Sequence, residues 1–458
     1  MKIAFVAYPT AALLPPYHGS MGASIYVIAR ELAQYCEVVV YGLADSQQGA
    51  QSGFYDGAEY RFVPSTAWDR LIGKIRKGVS AAAPLSTPIS TSATLFPSFG
   101  RQVAADLALR EWDVIHVQHC TQYVREIRRL NPAAKLVLHI HAEWFSQSNF
   151  AVIARRIRGL DLLLTVSDYV TQKTKRNFPQ FADRCETLYN GIDMKEFDRE
   201  KDYETARSRK VKRILYVGGI WPHKGTHVAI DAFKLVAQKH PDVVFDLVGP
   251  QGDYPLEEAC DLKDQVTLQR LTPYFKKKSS SIAKLLRRHP KSNAYLEFLK
   301  GKLTPDLNDK VVFHGFVPRT ELVRLYYDAD VFVFPPVWNE AFGCTPLEAM
   351  AAGVPVAVSR CGGIIETVQD HKTGFVIEPD DSVSLAQAML RLLEDDTLRE
   401  TMGREGRRRA LKFTWGAIAS GMHARYQALS QSYSPGRKSH TELRIPVSIE
   451  EPSHHHHS

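Results

Sequence analysis

The sequence predicts an α/β protein built from two doubly wound domains in series. The chain has 458 residues, which is too long for a single hydrophobic core. Short, continuous apolar runs alternate with helical patterns, as expected for parallel strands that are covered on both faces. A polar, charged stretch near residue 205 separates one such series from a second, so we place a domain boundary there.

The predicted N-terminal domain, 1–205, begins with the strand-like run KIAFVAY and a helical period in ASIYVIARELAQY. Residues 45–100 are less regular, and their Ser/Thr/Pro-rich part, 80–100, predicts a loop. Alternation resumes with the predicted strands DVIHVQ, KLVLHIH and LDLLLTVS. The intervening helices are predicted at QYVREIRRL, at about 147–158 and at DYVTQKTKRNF.

The second series defines a predicted domain, 206–415, with an insertion at about 252–310. Its strands are predicted at RILYVGG, VVFDLVGP, VVFHGFV, DVFVFPPV, PVAVS and TGFVIEP. Residues 433–458 are polar and aperiodic, which predicts a disordered tail. Ligands of doubly wound sheets bind outside the carboxyl ends of the strands, so the cleft between the domains is the expected site.

Composition narrows the class of protein. A hydrophobic fraction of 44% and a charged fraction of 24% are typical of a globular chain. The longest apolar runs are far shorter than the ~20 residues that span a bilayer, and the N-terminus lacks the features of a signal peptide. The six cysteines form no C-x-x-C pair, which argues against a zinc knuckle or a disulfide framework. We therefore expect a cytoplasmic protein.

The net charge of +8 is concentrated in residues 275–302, which carry nine Lys or Arg residues and one acid, Glu297. This local patch lacks the wide spread of charge and the aromatic platform of a nucleic-acid-binding domain. Three interpretations remain open: a solvated loop, a tether to anionic lipid, or a surface for an anionic acceptor. We hypothesise a peripheral contact with the inner face of an anionic membrane.

The first candidate binding motif is YVGGIWPHKGTH, residues 216–227, where a predicted strand ends at Gly218 and Gly219. Glycines allow a ligand to approach the backbone closely, and the start of the next helix attracts phosphate. Lys224 adds a compact positive charge suited to a diphosphate. The motif lacks the G-K-[ST] of a Walker sequence, and an ordinary turn with a solvated lysine is equally compatible with it.

The second motif is NEAFGCTPLEAM, residues 339–350, which follows the predicted strand DVFVFPPV. Thr345 is expected to cap a helix, with Pro346 in its first position. The turn 342–345 would then direct backbone N–H groups toward an anion.

Two glutamates flank this turn. Glu348 falls where a capping box would use it, whereas Glu340 lies before the turn and cannot be a cap. Either both glutamates bind a ligand, or Glu348 caps the helix and Glu340 is a solvated loop residue.

A third candidate lies in KLVLHIHAEW, where His139 and His141 share one face at the end of a buried strand. The carboxyl end of such a strand is well placed for ligand contact. A satisfied structural histidine is the alternative for either residue taken singly.

Together these motifs resemble glycosyltransferase family 4, retaining enzymes with the GT-B fold, in which two Rossmann-like domains face each other across a cleft. The resemblance covers most of residues 1–430. It rests on the Glu-x7-Glu spacing of Glu340 and Glu348, and on YNGID, YVGGIWPHKG, DLVGP and FHGFVPRTELVRLYYDADVFVFP in the family's order. It implies that a C-terminal helix, 416–432, packs back on the N-terminal domain.

The resemblance also implies roles for individual residues. Glu348 would hold the ribose hydroxyls of the nucleotide, and Glu340 the hydroxyls of the donor sugar. Lys224 would neutralise the departing diphosphate, and His141 would face the transferred sugar. The remaining donor contacts would come from glycine loops and the helix-start turn, at Gly19, Gly22, Gly218, Gly219, Phe342, Gly343, Cys344 and Thr345.

The chain departs from the family pattern at Gly219, where the family often has an arginine ahead of the lysine. One positive charge on the diphosphate is therefore missing, and Arg213, which precedes the strand, is a poor substitute. The insertion at 252–310 is also longer than usual for the family.

The function implied is a retaining hexosyltransferase that uses a nucleoside-diphosphate sugar, with a UDP-sugar favoured over a GDP-sugar. The acceptor would be a glycan, a lipid-linked sugar or a small molecule, and no metal or other cofactor is expected. The alternative is a non-catalytic nucleotide-sugar sensor or a degenerate subunit, which the missing arginine leaves open.

Overall fold

A computed structural model describes residues 1–15, 20–47, 49–82, 92, 94–147, 149–252, 265–274 and 294–431. Gly19, most of the basic segment 275–302 and the predicted tail therefore lie outside the described residues. Within them the strands, numbered in chain order, are β1 Lys2–Val6, β2 Glu37–Leu43, β3 Gly53–Tyr55, β4 Ala58–Val63, β5 Val114–Gln118, β6 Lys135–Ile140, β7 Leu162–Thr165, β8 Cys185–Thr187, β9 Lys212–Val217, β10 Val243–Val248, β11 Val311–Gly315, β12 Val331–Phe334, β13 Val356–Ser359 and β14 Gly374–Ile377.

Helices connect these strands and are referred to below by their bounds. The α-helices are Ser20–Leu32, Ala67–Ala82, Pro97–Leu107, Thr121–Leu130, Trp144–Gln147, Phe150–Ile157, Asp168–Asn177, Tyr203–Ser208, Thr226–Lys239, Gln265–Leu271, Ala294–Gly301, Arg319–Asp328, Cys344–Ala351, Ile364–Thr367, Ser382–Glu394, Asp396–Ala410 and Trp415–Gln431. None of the helices in the described part of the chain combines the length and the apolar character needed to cross a membrane.

The strands form two sheets, and each sheet is doubly wound. The first has the order β3-β4-β2-β1-β5-β6-β7-β8, and the second has the order β11-β10-β9-β12-β13-β14. Neighbouring strands are parallel except for the antiparallel pair of β3 and β4. The winding reverses between β1 and β5 and again between β9 and β12, and crevices for ligands open at such switch points. The predicted fold class is confirmed.

Continuous apolar strands arise because both faces of each sheet are covered. In β1, Ile3 and Phe5 belong to one buried cluster, while Ala4 and Val6 belong to another on the opposite face. Side chains alternate across a strand, so every position of such a strand must be apolar. This is the physical reason that the alternation of strands and helices could be predicted from the continuous apolar runs in the sequence.

Residues 45–100 are more regular than predicted. They contain β3, β4 and the helix Ala67–Ala82, and the helix Pro97–Leu107 begins at a proline that suits a first helical turn. The loop prediction for 80–100 is therefore wrong at both of its described ends. The helix predicted at 147–158 is divided, and its second part is capped by Asn149, whose side chain accepts from the N–H of Val152 at 3.2 Å.

The last helix, Trp415–Gln431, contacts the first sheet. The hydroxyl of Tyr426 hydrogen-bonds the Nδ1 atom of His116 in β5. Arg425 donates to the carbonyl oxygen of Thr187 at 2.9 Å and pairs with Glu186 at 2.7 Å. The helix that ends the described chain is thus bound to β5 and β8 of the first sheet.

A second link between the two halves runs through Glu366. Its carboxylate accepts the backbone N–H groups of Asp168 and Tyr169, each at 2.7 Å. These are the first two N–H groups of the helix Asp168–Asn177, which have no partner within that helix. Burial raises the pKa of Glu366 to about 7.

The Glu366→Gln variant is expected to remove a pH dependence of stability. The pKa of Glu366 is higher in the folded protein than in the unfolded chain. Its contribution to the free energy of unfolding is therefore fully present below about pH 4.5, and up to ~3 kcal/mol is lost as the pH rises through 7. The free energy of unfolding of both proteins, measured by urea titration at several pH values, checks this. A difference between the proteins that does not change with pH would contradict it.

Candidate active site

The switch point of the second sheet brings together Lys224 and Glu340. Lys224 follows β9 and Glu340 follows β12, and these strands are neighbours. The Lys224 Nζ atom forms an ion pair with Oε1 of Glu340, and the two side chains are only 16% and 13% exposed. The indole N–H of Trp338 donates to the same Oε1 atom at 2.7 Å. Neither residue is a solvated loop residue, which was the alternative interpretation of both.

Aromatic rings line the pocket around Lys224. Its ammonium lies 5.1 Å from the ring centroid of Trp338 and 5.9 Å from that of Phe334. The ring of His223 is stacked on Trp221, with ring centroids 5.7 Å apart, and its centroid lies 4.0 Å from that of Trp338 in a tilted arrangement. Burial lowers the pKa of His223 well below its usual value, so this ring is neutral. The Lys224 side chain therefore lies in surroundings of low polarity, where attraction between its ammonium group and an anion is strengthened.

The ring of Trp221 lies beside Gly219, the position at which the family often has an arginine. A Cβ atom at this position would overlap the ring of Trp221 where that ring now lies. Arg213 does not replace the charge, because its guanidinium is bound to Asp246, with distances of 2.7 and 2.9 Å. Gly218 lies at the same turn, and its N–H donates to Val248 in β10 at 2.9 Å.

The turn after Glu340 differs from the predicted one. The helix begins at Cys344, and Gly343 precedes it with a φ of +90°, a conformation that favours glycine. Within the described part of the chain, no side-chain hydrogen bond caps this helix, and the buried hydroxyl of Thr345 has no hydrogen-bond partner. The prediction of Thr345 as the cap and Pro346 as the first residue is therefore wrong by two positions. The positive end of the helix is left to a ligand or to water.

The side chains of Phe342 and Cys344 are structural. Phe342 is buried, with ring centroids 6.0 Å from Tyr189 and 6.1 Å from Phe413. Burial raises the pKa of the Cys344 thiol to about 12, so this thiol is not a nucleophile at neutral pH. At Phe342 and Cys344, the backbone groups are therefore the ones suited to contact a donor.

Glu348 is held between two partners and does not cap its helix. One carboxylate oxygen pairs with a guanidinium nitrogen of Arg319 at 2.7 Å, and the other accepts from the hydroxyl of Tyr326 at 2.8 Å. Arg319 also pairs with Glu196 at 2.6 Å. Arg319 and Tyr326 were not predicted as site residues, although both lie in the motif FHGFVPRTELVRLYYDADVFVFP.

A second group of candidate site residues, from the first sheet, lies at the carboxyl ends of β5 and β6. The Nε2 atom of His141 lies 2.5 Å from Oε1 of Gln118, and the ring centroids of His141 and His139 are 4.1 Å apart. His119 has a φ of +65°, and its Nε2 atom accepts from the indole N–H of Trp144 at 2.5 Å. Burial lowers the pKa of His141 to about 4, so its ring is neutral at pH 7. Gln118 and His119 were not predicted as site residues, although they stand at the end of the strand VIHVQ and directly after it.

Asn190 joins the two groups. Its Nδ2 atom donates to the sulfur of Cys344 at 3.8 Å, and the proximity of its side chain to His141 partly opposes the fall in the pKa of that ring. Gly22 is placed differently: a Cβ atom there would overlap the carbonyl oxygen of Ala12, so this glycine permits a close approach of helix and loop. A donor contact at Gly22 remains a prediction.

Comparison with known proteins gives the family. The family model "Glycosyltransferase Family 4" matches residues 21–196, and "Glycosyl transferases group 1" matches residues 292–409. Together the matches cover more than half of the chain. The chain is a family 4-like glycosyltransferase.

Individual relatives of this glycosyltransferase agree in length and fold. Spore coat protein SA of Bacillus subtilis is 24% identical over 93% of this chain and 99% of its own length. The structure of sucrose-phosphate synthase from Thermosynechococcus elongatus has a TM-score of 0.67 at 20% identity, covering 94% and 99% of the two chains. Anabaena HepE, in complex with UDP and glucose, has a TM-score of 0.61 at 20% identity, covering 93% and 100%. These structural likenesses show the GT-B fold.

Proposed function

We propose that this glycosyltransferase moves a hexose-type sugar from a nucleoside-diphosphate sugar, with a UDP-sugar as the favoured donor, to a carbohydrate or lipid-linked acceptor, with retention. The observation that carries the proposal is the pair of Lys224 and Glu340, which lies just before the helix start at Cys344 without a side-chain cap. A structural relative, HepE, binds UDP and glucose. That finding supports the choice of a UDP-sugar.

Breaking the bond between the sugar C1 atom and the phosphate oxygen places negative charge on the diphosphate. Lys224 and the N–H groups at the helix start would stabilise that charge as it develops, which is electrostatic catalysis by fixed groups. The aromatic lining keeps the lysine partly out of water and strengthens this effect. We propose that this arrangement serves in place of a metal ion.

Glu340 would bind the sugar hydroxyls. In the present structure its Oε1 atom receives both Lys224 and the Trp338 N–H. We infer that the donor diphosphate draws Lys224 away from Glu340, while Trp338 keeps the carboxylate oriented for the sugar. The binding of the donor would thus exchange the ion pair of Lys224 with Glu340 for one with the diphosphate, and hydrogen bonds from Trp338 and the sugar hydroxyls would stabilise the Glu340 carboxylate.

Retention is proposed to follow a front-face route. Three described groups near the cleft are not assigned as nucleophiles: the Cys344 thiol is protonated, Nε2 of His141 is engaged by Gln118, and Glu340 is proposed to hold the sugar hydroxyls. The acceptor hydroxyl would attack from the side of the leaving group, and its proton would pass to the departing phosphate. The C–O bond to the acceptor forms as the C–O bond to the diphosphate breaks.

The test is the release of nucleoside diphosphate from a panel of UDP-, GDP-, ADP- and TDP-sugars, with pooled saccharide acceptors. We expect one donor to be hydrolysed slowly alone and faster with an acceptor, and the product anomer to match that of the donor by NMR. The Glu340→Ala variant should lose this activity. A donor that raises the melting temperature but never releases its diphosphate would instead identify a nucleotide-sugar sensor.

A further inference from the structure

A groove at the edge of the first sheet is lined by residues other than those of the candidate active site. Its volume is about 590 Å³, within the range of small-molecule binding sites. Strands β3 and β4 form its floor, and the helix Pro97–Leu107 forms one wall. The lining includes Phe54 on β3, Glu59 and Arg61 on β4, and Gln102 and Asp106 on the helix.

An exposed aromatic ring lies on the floor of this groove. Phe54 is 77% exposed, although phenylalanine is among the residues most often buried. It is directly opposite Glu59 in the antiparallel pair of β3 and β4, so the two side chains lie on the same face of the sheet. Arg61 is two residues beyond Glu59 and shares that face. The groove therefore combines a flat apolar surface with charged groups.

Arg61 is held in a fixed orientation by two acids. Its Nε atom donates to Oε1 of Glu59, and its Nη1 atom donates to Oδ2 of Asp106, each at 2.7 Å. The hydroxyl of Tyr41 donates to the same Oδ2 atom at 2.7 Å. Among the described residues, Nη2 of Arg61 and Oδ1 of Asp106 have no hydrogen-bond partner, and the two side chains are 27% and 34% exposed. The groove thus offers a ligand one fixed donor and one fixed acceptor.

The balance of charge in the groove selects a neutral, polar ligand. The two acids, Glu59 and Asp106, are balanced by Arg61 and by Arg110, which donates to Oε2 of Glu59 at 3.2 Å. An anion would be repelled by the two carboxylates, and a purely apolar ligand would take Arg61 and Asp106 out of water without replacing their hydrogen bonds. A neutral sugar avoids both costs. One hydroxyl accepts from Arg61, its neighbour donates to Asp106, and the C–H face of the ring packs on Phe54.

We propose that this groove is a second, non-catalytic binding site for a neutral saccharide chain whose end is the acceptor. The groove reaches Val63 and Pro64 at the carboxyl end of β4. Strands β4, β2, β1, β5 and β6 are parallel, so the groove opens at the same edge of the sheet as His141.

The distance between the two sites sets the size of the ligand. Four strand spacings of ~4.8 Å, or ~19 Å in all, separate β4 from β6. This is longer than one sugar ring, so only an oligosaccharide would contact both sites. The role of the groove in holding the acceptor rests on the proposed function, whereas saccharide binding by the groove does not.

The experiment is saturation-transfer NMR of the full chain with neutral hexasaccharides of glucose, mannose and N-acetylglucosamine, and with an oligomer of galacturonic acid as the anionic probe. We expect a neutral probe to bind and the anionic probe not to bind. Phe54→Ala should weaken binding at least ~10-fold, because the sugar loses its contact with one aromatic side chain. Phe54→Tyr keeps the ring and should bind as the wild type does. Arg61→Lys keeps the charge but removes Nη2, and should bind more weakly.

Trp68 provides the matched control. It is an aromatic residue of the first half of the chain, 57% exposed, and it does not line the groove, so Trp68→Ala should bind as the wild type does. Release of nucleoside diphosphate from the donor alone and the melting temperature should be unchanged in Phe54→Ala. In transfer assays Phe54→Ala should raise the KM for an oligosaccharide acceptor at an unchanged turnover number, and should leave the KM for a monosaccharide acceptor unchanged.

Several outcomes would overturn the proposal. One is the absence of binding to every neutral probe, and another is equal binding by the wild type and Phe54→Ala. Preferred binding of the galacturonic acid oligomer would identify an anion site instead. Self-association that is lost in Phe54→Ala, seen by light scattering without saccharide binding, would assign the groove to a second copy of the chain. Saccharide binding that depends on Phe54 in a protein without transfer activity would support the groove and contradict the proposed function.

Discussion

The Lys224→Ala variant is expected to lower the turnover number of this glycosyltransferase by about 10²- to 10³-fold, the usual effect of removing one fixed group that stabilises developing charge. The loss should fall mainly on the turnover number, because the diphosphate gains charge only as the C1–O bond breaks. Steady-state release of UDP at saturating donor measures it. A change confined to KM would contradict the role of Lys224 in the chemical step.

The Lys224→Ala variant needs a control for folding, because Lys224 forms an ion pair with Glu340. Removing Lys224 leaves the Glu340 carboxylate with Trp338 but without its counter-charge, at a site only 13% exposed. We expect this to destabilise the protein by ~1–3 kcal/mol, which melting curves will show. Lys239→Ala, an exposed lysine at the end of the helix Thr226–Lys239, is the matched variant that should change neither property. If Lys224→Arg restored stability but not turnover, the two roles would be separated.

The Glu348→Gln variant is expected to raise the KM for the donor about 10- to 100-fold with little change in turnover number. Glu348 is proposed to hold the ribose, which does not change during the reaction, so its contribution to binding is the same in the ground state and the transition state. A carboxylate that accepts two hydroxyl groups contributes more than a neutral amide can. Initial rates over a range of donor concentrations measure the effects on KM and on the turnover number separately.

A deoxyribose donor separates ribose binding from a structural role. If Glu348 contacts the ribose hydroxyls, a 2′-deoxy donor should weaken binding to the wild type but add little to the defect of Glu348→Gln. Additive losses would rule out the contact. Tyr326→Phe removes one hydrogen bond of 2.8 Å to Glu348 but keeps its pairing with Arg319, and should cause a smaller rise in KM.

The local pattern of the sequence determined the two sheets. Both faces of each sheet are covered, so runs such as KIAFVAY and DVFVFPPV had to be apolar throughout, and helices had to alternate with them. The candidate residues Lys224 and Glu340 followed from the same pattern, because they come after strands whose carboxyl ends open a crevice. The irregular composition of 45–100 concealed two strands and two helices, since short edge elements carry little periodicity.

Only the tertiary structure decided how these residues are paired. Lys224 and Glu340 are 116 residues apart and meet because β9 and β12 are neighbours in the sheet. The start of the helix at Cys344 depended on the conformation of Gly343, which packs against Ile364. The partners of Glu348 and His141 come from other elements, and the groove beside Phe54 depends on the contact of Arg61 with Asp106. A periodic pattern records which positions are buried, whereas the identity of the neighbour is set by the order of the strands, which no local stretch of sequence contains.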